Sequence, residues 1–149
     1  MNFNPHDIYT PPGGPPQGPP PPEGLYQDIG QDGIYQLLED FYLVLMDSEI
    51  SDIFPQGKDA MVDASKKSAD FFIGLLGGPP LYHQRHGPPR LRARHLPFPI
   101  SNHTREVWLD CFKKSIIKAV EEERFPAKSQ GDFYDFLESF STWMVNRAS

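Results

Sequence analysis

The 149-residue chain predicts an all-α domain preceded by a proline-rich extension. Three observations carry that prediction. Apolar residues recur at three- and four-residue intervals in four separate stretches, the signature of helix faces. No run of alternating apolar and polar residues is long enough for a sheet. Nine of the 17 prolines fall before Glu23, so residues 25–149 carry only eight, an ordinary content for one compact domain. With 38% hydrophobic and 13% aromatic residues the chain can build the core that a domain of this size buries, which excludes wholesale disorder. The expected division is a flexible extension over residues 1–24 and a folded domain over residues 25–149.

Residues 11–22 read Pro-Pro-Gly-Gly-Pro-Pro-Gln-Gly-Pro-Pro-Pro-Pro. Fixed φ angles and missing N–H groups favour extended polyproline II there. With no apolar face to pack, the segment is expected to be disordered and mobile. A proline-binding partner is the sharper alternative, but no flanking Arg or Lys orients such a ligand.

Ile34, Leu37, Leu38, Phe41, Tyr42 and Leu45 mark one face of a helix from about Gly33 to Met46. A short helical turn through Ile50, Ile53 and Phe54 ends at Pro55. Met61, Ala64, Ser68, Phe71, Phe72 and Leu75 mark the next helix, which Gly77-Gly78 can close in the left-handed conformation. Six prolines between positions 79 and 100 leave room for helix only in short pieces, foremost around Arg90 to His95. Beyond Pro99, Ser101 caps a helix carrying Val107, Trp108, Cys111, Phe112, Ile116, Ile117 and Val120. Phe133, Phe136, Leu137, Phe140, Trp143 and Met144 mark the last helix.

A net charge of −6 gives no global field for nucleic acid or an anionic membrane, and no segment approaches the roughly 20 apolar residues that span a bilayer. Without a recognisable leader the default location is cytoplasmic. Cys111 is the single cysteine, so there is no intramolecular disulfide, and on an apolar helix face it packs as a small hydrophobe rather than as a nucleophile. Charge is nevertheless segregated. From Phe71 to Arg105 there is no Asp or Glu, while Arg85, Arg90, Arg92, Arg94 and Arg105 all fall within that stretch. His83, His86, His95 and His103 lie there too. Lacking carboxylates and a His-Glu-x-x-His helix, they furnish a hydrolytic zinc site poorly.

A flat, apolar cofactor edged with carboxylates suits this inventory better: it needs one axial nitrogen, aromatic walls, cations at its edge and polar donors opposite. Leu91 and Arg92 stand four and three positions before His95, which puts an apolar residue and a cation on the imidazole's helix face, with Arg90 and Arg94 beside them. The residues alone leave open whether His95 is a ligand or a bystander, and whether Tyr42 and Trp108 are donors or core aromatics.

The run Gly77-Gly78-Pro79-Pro80-Leu81-Tyr82, then Gly87-Pro88-Pro89-Arg90-Leu91-Arg92-Ala93-Arg94-His95-Leu96-Pro97-Phe98-Pro99-Ile100, then Arg105-Glu106-Val107-Trp108-Leu109 resembles the second group of truncated haemoglobins, the 2-over-2 globins. The resemblance spans about residues 25–146 and implies a 2-over-2 globin fold around one haem b, iron protoporphyrin IX. It makes His95 the proximal iron ligand and Tyr42 and Trp108 the distal phenol and indole. It places Ser68 over the iron, Ala64 at the distal gate and Phe54 on the haem. Phe71, Leu75, Tyr82, Leu91, Arg92, Arg94, Phe98 and Ile100 complete the expected cofactor contacts. The chain departs from the group's pattern at Gly30-Gln31, at Pro88 and in the proline-rich extension.

Such a protein is expected to bind dioxygen or another small haem ligand reversibly, as in oxygen transport. The enzyme alternative is haem redox turnover of peroxide, nitric oxide or a related species. It calls for a partner reductase, since no flavin or nicotinamide motif is present. The non-catalytic alternative is an adaptor acting through its proline-rich extension.

Overall fold

The computed structural model describes residues 8–148, and among them every regular element is helical: α1 (Leu25–Met46), α2 (Lys58–Leu75), α3 (Leu81–His86), α4 (Leu91–His95), α5 (Asn102–Glu121) and α6 (Gln130–Ser141). Single 3-10 turns stand at Ser51–Ile53, Ala127–Ser129 and Thr142–Met144. None of the described helices is long and apolar enough to cross a membrane.

α1 packs against α2 and α5, and α5 against α6. The predicted apolar faces meet there. Phe41 and Phe112 stack with ring centroids 4.1 Å apart, and Phe72 and Phe133 each stand edge-on to Phe112. Ile34, Leu37, Leu38, Leu45, Met61, Ile73, Ile116 and Leu137 are buried around them. Each such side chain contributes about 1.5–3 kcal/mol relative to exposure, so the four long helices hold one another.

α1 begins at Leu25 rather than near Gly33. Leu25 is fully buried, and the opening turns are joined to the rest of the helix at Gly30, whose φ of 80° breaks the helical path. α2 closes as its glycine pair suggests. Gly77 has φ 102°, Gly78 N donates to Ile73 O at 2.8 Å and Gly77 N to Gly74 O at 3.4 Å, a Schellman closure. Ser101 caps α5: its hydroxyl accepts from Thr104 N at 3.1 Å, and its own N–H donates to Thr104 Oγ1 at 3.3 Å.

α3 is a helix that the prolines conceal. It fits between Pro80 and Gly87 and is held by tertiary bonds rather than by its own length, which is below what an isolated helix needs. Arg85 Nη1 donates to the buried Asp70 of α2 at 2.9 Å, and His86 Nε2 lies 3.1 Å from the same carboxylate.

Residues 8–23 form no helix, but they do not hang free. Tyr9 N donates to Asn146 O at 2.9 Å, and Arg92 Nη2 donates to Tyr9 O at 2.9 Å. Farther along, Gly18 lies so close to Ser139 of α6 that no Cβ would fit. Tyr9 is thus tied to Asn146 and Arg92, while the mobility expected of residues 11–22 stands as an expectation. Tyr9 docks through its backbone groups, a contact that apolar periodicity does not reveal. The expected flexibility of residues 1–7 lies outside the described residues.

Candidate functional site

A cavity of about 490 Å³ opens between two groups of residues. Tyr42 on α1, Ala64, Ser68 and Phe71 on α2 and Trp108 on α5 form one group. Leu91, Arg94 and His95 on α4, with Phe98 and Ile100 after it, form the other. Phe54 and Tyr82 also line it. The volume falls within the roughly 300–1,000 Å³ of cofactor and small-molecule pockets.

His95 is tied at one nitrogen. Nδ1 lies 2.6 Å from Leu91 O, four residues earlier on α4. A carbonyl only accepts, so Nδ1 carries the proton and the neutral ring keeps its lone pair on Nε2. Burial pushes the imidazole below its ordinary value, outweighing the opposing pull of the Leu91 carbonyl, and so favours that neutral form. An oriented neutral imidazole at an apolar cavity is the donor that a metal-bearing planar cofactor requires. The rival histidines are engaged elsewhere: His86 with Asp70, and His103 with Glu49 at 3.1 Å. His83 is exposed and does not line the cavity.

Tyr42 and Trp108 are held by the aromatic core. Both stand edge-on to Phe41, with centroids 5.5 and 5.4 Å away, and Tyr42 is also edge-on to Phe54 at 5.9 Å. Burial pushes the Tyr42 phenol up, while the neighbouring Ser68 hydroxyl pulls it the other way, so the phenol keeps its proton at neutral pH. Two wall residues thus carry donors, an O–H and an N–H, on a lining that is otherwise mostly apolar.

Two expected contacts are corrected. Arg92 does not reach the cavity: its guanidinium donates to the backbone carbonyls of Trp143, Val145 and Tyr9 and lies 4.5 Å from the Trp143 ring centroid. Leu75 packs on the core instead of lining the cavity. Sequence reasoning missed Lys67 and Arg105, which do line it. Lys67 escaped because it precedes the acid-free stretch, although it neighbours Ser68. Arg105 belongs to that stretch but stood on no short helix beside His95. Lys67, Arg94 and Arg105 bring positive charge to the cavity; Arg94 is steadied by the carbonyls of Pro88 and Pro89, and Arg105 by Ser141, Asn102 and the Glu138 carbonyl. Cys111 is buried, with its thiol pushed up by burial, so it takes no part.

The comparisons with known proteins converge. A family model described as bacterial-like globin matches residues 24–146. The chain is 41% identical over 92 residues to the group 2 truncated hemoglobin YjbI of Bacillus subtilis, an alignment covering 61% of this chain and 67% of that protein. It is 33% identical over 100 residues to two-on-two hemoglobin-3 of Arabidopsis thaliana, covering 65% of this chain and 56% of that one. Among solved structures, the truncated oxygen-avid haemoglobin from Bacillus subtilis superposes with a TM-score of 0.72 at 34% identity, over 81% of this chain and 98% of that one.

Proposed function

Because the chain belongs to the bacterial-like globins, and among them to the group 2 truncated haemoglobins, we propose that its cavity holds haem b with His95 as the protein ligand of the iron, and that it binds dioxygen or another small ligand reversibly. The observation that carries this reading is the His95 imidazole. It lines the 490 Å³ cavity with Nδ1 committed to Leu91 O, which leaves Nε2 as the free lone pair.

The remaining residues fit such a group. When bound, haem would supply the iron that takes a small ligand, and His95 would hold it through Nε2. Phe54, Phe71, Tyr82, Leu91, Phe98 and Ile100 would furnish apolar walls for it, and Lys67, Arg94 and Arg105 would supply positive charge for its carboxylates. Tyr42 and Trp108 supply hydrogen-bond donors that favour a polar diatomic ligand over an apolar one, with Ser68 offering a further hydroxyl and Ala64 lining the same side. The similarity to an oxygen-avid haemoglobin agrees with that donor set.

Titrating the purified protein with haem tests the reading. A visible spectrum that saturates at one haem per chain supports it, and uptake without a defined stoichiometry overturns it.

A further inference from the structure

We infer that Asn146 is a positioning residue for His95, fastening the backbone that carries the imidazole, and that Arg92 and Tyr9 tie the N-terminal extension and residues 143–146 over that fastening. The inference rests on the reading of His95 as the iron ligand.

Asn146 is fully buried and every one of its polar groups is used. Its Nδ2 donates to His95 O at 3.1 Å and to Phe98 O at 2.9 Å, and its Oδ1 accepts from Ile100 N at 2.9 Å. Its backbone N donates to Ile100 O at 2.9 Å, and its backbone O accepts from Tyr9 N at 2.9 Å. One side chain thus spans the whole segment from His95 to Ile100. The position demands two donors and an acceptor together, which Asp and Leu cannot supply.

The need for such a fastening is physical. α4 has five residues, one turn and a fraction, and cannot hold an imidazole still by its own helical bonds. His95 is therefore gripped from two sides, at Nδ1 by Leu91 O and at its carbonyl by Asn146 Nδ2. Arg92, three residues before His95, adds the second tie. Its cation bonds the carbonyls of Trp143 and Val145 on the C-terminal segment and of Tyr9 on the extension. The proline-rich extension and the C-terminus act here as a brace beneath the ligand-bearing turn.

Three full-length variants test this: Asn146→Ala, Arg92→Met, and Ile116→Val as a core change away from the cavity. Amide hydrogen exchange at Ile100 is read on the haem-free chain. Haem loss to an excess apo-globin acceptor and the iron–histidine stretching band of the ferrous protein are read on the loaded chain. Asn146→Ala is expected to speed Ile100 exchange and haem loss by roughly tenfold or more each and to shift the band. Arg92→Met should act in the same direction more weakly, and it stands as the test should Asn146→Ala not fold. Ile116→Val should lower the melting temperature and leave the band in place. If exchange rises while haem loss and the band stay at wild-type values, or if nothing moves, the inference is overturned. Failure of the haem reading itself is distinguishable, because the wild-type chain would then show no haem band at all.

Discussion

Asp70 of α2 and His86 of α3 meet at 3.1 Å, with the carboxylate almost wholly buried and also bonded to Arg85 and to the Tyr35 hydroxyl. That cluster is the anchor of α3. α3 in turn presents Tyr82 to the cavity, and the Tyr82 and His86 rings lie 5.0 Å apart.

Asp70→Asn should therefore loosen α3. The loss is expected to be about 1–2 kcal/mol: a buried charge-assisted bond is worth more, but the half-exposed Arg85 partner is screened. A urea titration gives the magnitude, and amide exchange over residues 81–86 should rise well ahead of that in α5. Equal loss of protection across both helices would remove Asp70 from this local role.

The four long helices were legible because each carries an apolar stripe longer than two turns, from Ile34 to Leu45 and from Phe133 to Phe140 for example. α3 was not, because six residues between Pro80 and Gly87 give no period to read and its hold on Asp70 is tertiary. Ser101 was readable as a cap since the bond is local. Arg92 was misplaced for the opposite reason. Helical spacing puts it near His95, but the C-terminal segment competes for its donors, and nothing local in the sequence marks where residues 143–146 return. The docking of the extension through Tyr9 is concealed in the same way.

The buried state of His95 has a pH consequence for the haem-free chain. Burial holds the imidazole below its ordinary value of 6.5, so between that value and the lower folded one the unfolded chain binds more protons. Stability is fully present above about pH 6.5 and falls as acid is added, by at most about 1.4 kcal/mol per pH unit within the window. Urea midpoints from pH 7.5 to 5 should therefore fall more steeply for the wild-type chain than for His95→Gln. Parallel curves would contradict a buried neutral imidazole.

Cys111 should resist thiol reagents in the folded protein. It is 3% exposed, and burial raises its thiol, outweighing the opposing pulls of Lys114 and Ser48. Modification is expected to be slow at pH 7 and to reach one thiol per chain after denaturation. Rapid labelling of the folded protein would show that α1 and α5 part at this point.

Tyr42→Phe and Trp108→Phe should each speed dioxygen release by roughly ten- to a hundredfold, the effect of losing one hydrogen bond to a charge-bearing ligand. Carbon monoxide, being less polar when bound, should respond far less. Because Ser68 stands beside the Tyr42 phenol, the double variant should depart from the product of the two effects. Equal acceleration of both gases would make the two aromatics steric gates. Unchanged dioxygen release would leave them as core packing.

The proposed function turns on the Nε2 lone pair of His95 as the donor that would hold the cofactor. Its most direct test is the visible spectrum of His95→Ala after exposure to haem, with and without added imidazole. The stoichiometric haem spectrum should be lost or altered and imidazole should restore a wild-type-like spectrum, because the cavity walls remain and only the donor is missing. A His95→Ala protein with the wild-type spectrum, while His86→Ala loses it, would remove His95 as the iron ligand.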